Sequence, residues 1–406
     1  MFYRQTVLLT AIVFLAVTGF AARLEQMYFM AGLLAFLTLG AYLIARFSTR
    51  GLELQRGPAH KLSEGGWCDL SITVTNRSLL PKAFISLRDE LPAWLEPVSP
   101  AEVALPTLLP RRSARLTYRV RATKRGVFKL GPVVVSATDL LGAFHAERRI
   151  EAPQELIVYP TPERFSAEAL AGALTFGGWE TAQATLAGAG MELYGIRDYR
   201  PGDALRRIHW PSTARLGHFH VVEFEETLGA DLVIAVDLRR GAHAGAGKDS
   251  TLEVAIKAAA SLAAHAVDNG ARAMVVGRDG GRSYRVAAGQ PGELPLLLEA
   301  LARMEAQGEW SLAQVMAEVE GPAAGAAAVL LTAAPEAGLL DLVGAWVRRR
   351  AQVVVMLFDA GSYGAQPAPD VYAWEKRLRV AGARVEIVRR GDQLERVLGR
   401  AMADAA

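Results

Sequence analysis

Apolar and polar positions follow three successive rhythms along this chain. The first is continuous: residues 6–22, TVLLTAIVFLAVTGFAA, and residues 27–45, MYFMAGLLAFLTLGAYLIA, carry no charged side chain. At ~1.5 Å of rise per helical residue, each run is about as long as a bilayer core is thick. Only RLEQ separates them, so the pattern predicts a transmembrane helical hairpin within residues 1–50.

The second rhythm, over residues 51–160, has period two. In WCDLSITVTN, Cys68, Leu70, Ile72 and Val74 alternate with Asp69, Ser71, Thr73 and Thr75. In ARLTYRVRA, Leu116, Tyr118 and Val120 alternate with Arg115, Thr117, Arg119 and Arg121. Such alternation marks strands with one buried face. AFISL, VFKL, PVVVSA and ELIVY read as further strands, and the turn-rich NRSLLP, LPRRS and KRG separate them. Short strands at this spacing, with no amphipathic helix among them, predict an antiparallel β-sandwich.

Residues 161–190 are rich in Ala and Gly and read as a linker. The third rhythm follows, with apolar strands alternating with amphipathic helices. DLVIAVD (231–237) predicts a buried strand; Leu252, Ile256, Ala259, Ala263 and Val267 fall on one face of a helix stopped by Asn269-Gly270. Then come the strand AMVVG, helices around 291–304 and 311–319, and the strand AAAVLLTA. A helix at 337–350, the strand QVVVMLF, a helix at 371–380, the strand RVEIV and a last helix from about 391 complete the pattern. This predicts an α/β doubly wound domain, with its functional edge where strands end and helices begin.

Charge refines the picture. The 45 Lys and Arg against 42 Asp and Glu leave a net charge of +3, too near balance to mark a nucleic-acid-binding surface. Arg4 precedes the first span and Arg46, Arg50, Arg56 and Lys61 follow the second, while the connecting turn holds one Arg and one Glu. The positive-inside rule then places both ends in the cytoplasm, with the soluble domains on the cytoplasmic face of the inner membrane. A signal peptide cleaved near GFA is the alternative; the second span would then remain as an anchor of opposite orientation. The single cysteine, Cys68, forms no intrachain disulfide and reads as a core residue of its strand. The missing disulfide framework favours the cytoplasmic orientation.

One stretch concentrates charge: GIRDYRPGDALRRIHWPSTARLGHFHVVEFEE, residues 195–226. Pro201-Gly202 suits the centre of a type II turn, Asp203 suits the cap of a short helix ALRRIHW that Pro211 ends, and HFHVVEFEE reads as a strand. Its ionic side chains fit an internal clasp with Trp210 as apolar anchor. They also fit a recognition site for an acidic peptide, carboxylate or phosphate built from Arg197, Arg206 and Arg215. No Ser or Cys sits at a recognisable elbow beside a base, so no catalytic residue is assigned. His209, His218, His220 and Glu223 include a His-x-His pair suited to zinc, but leave the ligand set incomplete. GAHAGAGKDS lacks phosphate-loop spacing and reads as a loop ending at an N-cap, Asp249 or Ser250.

RDYRPGDALRRIHWPSTAR followed by VVEFEE resembles the signature of the bacterial "domain of unknown function 58" proteins. The matching positions are Arg197, Tyr199, Gly202, Asp203, Arg206, Ile208, Trp210, Ala214, Arg215, Glu223 and Glu225, and RGVFKLGP, ATDLLGAF and LIVYP match as well. The resemblance implies two membrane spans, a β-sandwich and, over 191–406, the signature segment plus a von Willebrand factor A-like domain. It also implies a protein partner, a MoxR-type AAA+ ATPase, because such proteins are typically encoded beside one, and work in assembly or stress-related maturation. Metal-binding von Willebrand factor A domains carry Asp-x-Ser-x-Ser, with a later Thr and Asp, around Mg²⁺. Here the run is DLRRG: Asp237 is kept, Arg239 and Gly241 stand at the serine positions, Thr332 matches the threonine and no Asp follows it. A degenerate metal site without cofactor is expected, with Arg239 standing in for the cation against Asp237 or a partner's carboxylate. The function expected is that of a membrane-anchored interaction or scaffold protein. An enzyme acting on cell-envelope polymers, or a phosphate- or carboxylate-binding module, is the alternative.

Overall fold

Two apolar helices open the chain, α1 (Phe2–Ala22) and α2 (Glu25–Ser48). Both are long and apolar enough to cross a membrane, and very little of either is buried against protein. Phe14, Phe20, Phe29 and Phe36 all stand outward. A core helix of a water-soluble domain hides such side chains, so the pair points to membrane anchoring. The computed structural model describes residues 2–58, 61–105, 107–139, 142–163, 193–198, 210–224, 231–319 and 321–403. These divide into two units, Met1–Tyr159 and Pro160–Ala406.

The first unit adds eleven strands to the helices: β1 (Leu52–Arg56), β2 (Leu62–Ser63), β3 (Trp67–Asn76), β4 (Ile85–Asp89), β5 (Leu95–Pro97), β6 (Glu102–Leu105), β7 (Ser113–Ala122), β8 (Gly126–Leu130), β9 (Val133–Thr138), β10 (His145–Ile150) and β11 (Gln154–Tyr159). They form two four-stranded antiparallel sheets, β1-β3-β7-β5 and β10-β9-β4-β6, and a small sheet β2-β11-β8. The period-two positions become the core. Leu70 lies opposite Tyr118 and Cys68 opposite Val120, and all four pack with Ile85, Leu87, Val133 and Val135 of the other sheet.

One buried ion pair joins the two sheets. Arg56 of β1 donates to both oxygens of Asp89 on β4, at 2.6 and 2.7 Å, and to the carbonyls of Ala152 and Gly131 at 2.6 and 2.9 Å. The Tyr118 hydroxyl also donates to Asp89. The guanidinium and the carboxylate are both satisfied, which a charge pair withdrawn from water requires.

The second unit contains a two-stranded antiparallel ribbon, β12 (Leu193–Asp198) and β13 (His220–Phe224), with helix α3 (Trp210–Leu216) between them in the chain; the linker expected over 161–190 lies almost wholly outside the described residues. The expectation that Pro211 ends the helix ALRRIHW is corrected here, since Pro211 is the second residue of α3; residues 204–209 of that expected helix lie outside the described residues. A proline there sacrifices no helical hydrogen bond, because first-turn N–H groups have no partner within the helix.

The main sheet follows: β14 (Leu232–Val236), helix α4 (Thr251–Asp268), β15 (Ala273–Asp279), β16 (Arg282–Ala288), helices α5 (Leu294–Arg303) and α6 (Leu312–Ala317), β17 (Ala327–Thr332), α7 (Ala337–Arg348), β18 (Gln352–Phe358), α8 (Val371–Val380), β19 (Arg384–Val388) and α9 (Leu394–Ala403). The strand order is β16-β15-β14-β17-β18-β19. All neighbours are parallel except β15 and β16. β14 shows why its sequence is apolar throughout. Leu232, Ile234 and Val236 pack with α4, α5 and α9, whereas Val233 and Ala235 pack with α6, α7 and α8. Both faces of the strand are buried. β16 departs from the expected strand–helix alternation. It returns from β15 through Gly280-Gly281, both at positive φ (32° and 105°), which glycine adopts without a Cβ clash.

Candidate functional site

The order of strands locates the site. From β14 the chain proceeds to β15 on one side and only later to β17 on the other, so loops leaving the carboxyl ends of β14 and β17 diverge and leave a crevice. Asp237 follows β14 and Thr332 ends β17, and both are about 1% exposed. The Asp237 N–H donates to Leu331 O at 2.9 Å, and the Thr332 hydroxyl donates to Asp237 Oδ2 at 2.8 Å.

Arg239 folds back onto this pair. Its Nε reaches Asp237 Oδ1 at 3.1 Å and its Nη2 reaches Oδ2 at 2.9 Å, while its backbone N–H donates to Oδ1 at 3.2 Å. Nη2 also donates to Ala334 O at 2.5 Å, and Nη1 to Glu336 Oε2 at 2.8 Å. Glu336 occupies the position just before α7, and its carboxylate turns to Arg239 instead of capping the helix. Hydrogen bonds donated to Asp237 outweigh burial and raise the guanidinium's already high pKa, so the cation is permanent.

Two neighbours fix the loop. Gly308 N donates to Leu238 O at 2.8 Å and Arg240 N to Gly308 O at 2.7 Å. A Cβ on Gly308 would meet Arg278 O at 2.5 Å, so the close approach requires glycine. His243 lies 2.5 Å from Asp237 O through Nε2 and 3.0 Å from the Thr251 hydroxyl through Nδ1. The network assigns the proton to Nε2, with Thr251 donating to Nδ1. Ser250 caps α4, accepting from Glu253 N at 3.3 Å, one of the two residues expected for that role.

These residues do not fit a dication. Mg²⁺ takes oxygen donors in an octahedral shell. Both oxygens of Asp237 already accept from Arg239 or Thr332, Gly241 offers no hydroxyl, and a guanidinium occupies the charge-bearing position. Among the described residues, no group of three or more His, Cys, Asp and Glu side chains is placed to hold a metal.

The structure brings Asp237, Arg239 and Thr332 together. Arg197 pairs in register with Val221, and Gly195 with Glu223, across β12 and β13. Arg215 sits in the last turn of α3 and is exposed. Tyr199, Gly202, Asp203, Arg206, His209 and Glu225 lie outside the described residues. Trp210 corrects its expected role as a buried anchor. It is 64% exposed and touches Phe219 edge-on at 6.4 Å between centroids.

Glu336, the Ala334 carbonyl and His243 were not identified from sequence. A signal for Glu336 existed in TAAPE, an acid directly after a strand end at the same sheet edge as Asp237. A second missed feature is a cavity of about 340 Å³ lined by Arg240, Arg278, Gln307 and Trp310 among others. There the Arg278 guanidinium stacks 3.8 Å over the Trp310 ring and pairs with Glu318 at 2.9 Å.

Comparison with known proteins adds the following. The model of the family "Protein of unknown function DUF58" matches residues 195–401. The chain is similar to the uncharacterized protein YeaD of Bacillus subtilis (strain 168), 24% identical over 211 residues that cover 49% of this chain and 51% of that protein. It thus spans about half the length of the curated relative it matches. Among solved structures it is similar to the conserved hypothetical protein BatB from Bacteroides thetaiotaomicron, at 13% identity, TM-score 0.31, over 43% of this chain and 97% of that one. An aerotolerance-related membrane protein from Bacteroides fragilis NCTC 9343 aligns at 15% identity, TM-score 0.30, over 43% of this chain and 96% of that one.

Proposed function

This chain belongs to the family of proteins of unknown function DUF58, and on that premise we propose that it is a membrane-anchored docking protein and not an enzyme. The helical hairpin holds it in the inner membrane, and the arginine asymmetry around the two spans supports a cytoplasmic orientation of both soluble units. The second unit is taken as a von Willebrand factor A-like domain in which Arg239 replaces the metal. Asp237 and Thr332 at the switch point support that assignment. The partner is a MoxR-type AAA+ ATPase or one of its clients, a choice that follows from the family resemblance.

One observation carries the docking role. Arg239 is held from below by Asp237, whose side chain is fully buried, and from outside by Glu336, whose side chain is 37% exposed. The outer carboxylate is therefore the exchangeable one. An acidic side chain of a partner takes its place by exchanging one charge-assisted hydrogen bond for another. Removing the internal competitor should therefore strengthen binding. The test is co-elution of the detergent-solubilised chain with a purified MoxR-type ATPase, with Glu336→Gln beside the natural chain. Tighter binding by the variant is expected; equal or weaker binding rejects Glu336 as a placeholder, and no complex with either rejects the partner. A C-terminal phosphatase fusion that works only when exported should stay silent, and activity there would reverse the orientation.

A further inference from the structure

We propose that the junction of the membrane hairpin with the first β unit is a binding site for the headgroup of an anionic phospholipid. The inference rests on the membrane-anchored reading and adds a ligand to it.

The junction is built, not incidental. The α2 helix is fastened to the sheets by Lys82, whose Nζ donates to Phe47 O at 2.6 Å and which is 3% exposed. The start of α1 is fastened by Gln5, whose Nε2 donates to Ala143 O at 2.9 Å. Between these ties lies a cavity of about 870 Å³, lined by Gln5, Tyr42, Arg46, Arg50, Phe144 and Arg148 among others. Its size falls within the roughly 300–1,000 Å³ typical of small-molecule sites.

Its chemistry is that of a phosphate diester attached to acyl chains. Arg46, Arg50 and Arg148 bring three guanidinium groups to one cavity, and among the described residues none of them forms an ion pair. The one acid in the lining, Glu147, already accepts from His145 at 2.9 Å. Guanidinium groups present paired donors that match phosphate oxygens. Depth completes the case. Arg46 and Arg50 follow directly on the apolar run 27–45, which sets them at the headgroup level of the membrane that α2 enters. Tyr42 and Phe144, both in the lining, meet edge-on at 5.6 Å, and α2 carries exposed apolar side chains such as Leu39 and Leu43 along which an acyl chain would lie. Basic pockets at the ends of membrane helices bind such headgroups, and a lipid supplies both the anion and the tail.

The test incorporates the full chain into nanodiscs of phosphatidylcholine alone or with phosphatidylglycerol, and counts lipids retained after detergent extraction by mass spectrometry. Phosphatidylglycerol should be enriched over phosphatidylcholine, and Arg46→Gln/Arg148→Gln should lower that enrichment by about fivefold for each arginine removed. A control, Arg112→Gln on the exposed turn before β7, should leave it unchanged. Enrichment that survives the double variant would mean diffuse surface attraction and would overturn the pocket. Protection of the chain in phosphatidylcholine by millimolar glycerol phosphate, equal to that by the lipid, would overturn the lipid as ligand. If the chain fails to remain in nanodiscs of either composition, the anchoring fails, and that outcome differs from anchoring without lipid preference.

Discussion

Arg239 grips both oxygens of Asp237, two residues earlier in the chain, at 3.1 and 2.9 Å. The pair ties the first loop of the α/β sheet to the strand end, and Thr332 joins it from β17 at 2.8 Å. Arg239→Ala leaves a buried carboxylate with only the Thr332 hydroxyl and the backbone N–H of residue 239 for company. Breaking one side of such a pair costs on the order of 3–5 kcal/mol. Urea unfolding should show that loss for Arg239→Ala and a smaller one when Asp237→Ala is added, since the stranded charge goes with it.

The same pair governs metal. Mg²⁺ should leave the melting temperature of the natural chain unchanged, because its ligand positions are filled by protein. Arg239→Ser with Gly241→Ser restores the Asp-x-Ser-x-Ser pattern and removes the competing charge. That double variant should gain a saturable stabilisation by Mg²⁺, abolished by Asp237→Ala. Saturable Mg²⁺ stabilisation of the natural chain would contradict the assignment of Arg239 as resident cation.

The first unit has its own buried pair. Asp89→Ala strands the Arg56 guanidinium, which is 5% exposed, and should cost on the order of 3–5 kcal/mol. The exposed pair Arg77–Glu53 is of similar length at 2.6 Å, yet Glu53→Ala should cost far less, because water and salt screen it. Chemical unfolding followed by the fluorescence of Trp67 and Trp94 distinguishes the two.

How much of this was legible in the sequence depends on where each signal resides. Period-two runs such as Cys68–Val74 announced their strands because one sheet face meets the core and the other meets water. β14 and β17 announced themselves by length and β-branched content. β10 did not: HAERRI is largely exposed and keeps its place through backbone pairing with β9, which leaves no apolar mark. β16 was hidden for a related reason, since its strand mixes Arg and Ala. At the site, the local pair Asp237–Arg239 was expected from the family resemblance, which sets Arg239 at a serine position of the metal motif. Glu336 was not, because its contact with Arg239 spans 97 residues and depends on which strands become neighbours.

Acid should weaken the second unit through His265. Burial in α4 lowers its pKa, and the charge of Asp268 opposes this only in part. The folded state thus keeps the imidazole neutral while the unfolded chain protonates it near the usual value of about 6.5. Below that value the unfolded state binds more protons, so stability is full above it and falls as pH drops toward the folded pKa, by at most ~1.4 kcal/mol per pH unit. His265→Gln, which cannot titrate, should lose less melting temperature than the natural chain between about pH 7 and about pH 5. An unchanged loss would place the acid sensitivity elsewhere.

Trp210 separates docking from packing most sharply. Removing a buried Trp costs ~3–5 kcal/mol, as expected for Trp346, which is 4% exposed within the core beneath α7. Trp210, 64% exposed with one edge on Phe219, offers no such burial, and Trp210→Ala should cost less than about 1 kcal/mol. An aromatic ring left in water on a signature segment suits an interface, where Trp is among the side chains that carry most binding energy. Trp210→Ala should therefore melt with the natural chain yet lose co-elution with the ATPase, while Trp346→Ala melts early. Thermal melts of both variants beside the binding assay decide the matter. A large loss of stability in Trp210→Ala would return the residue to a structural role, and full binding by a stable variant would remove it from the interface.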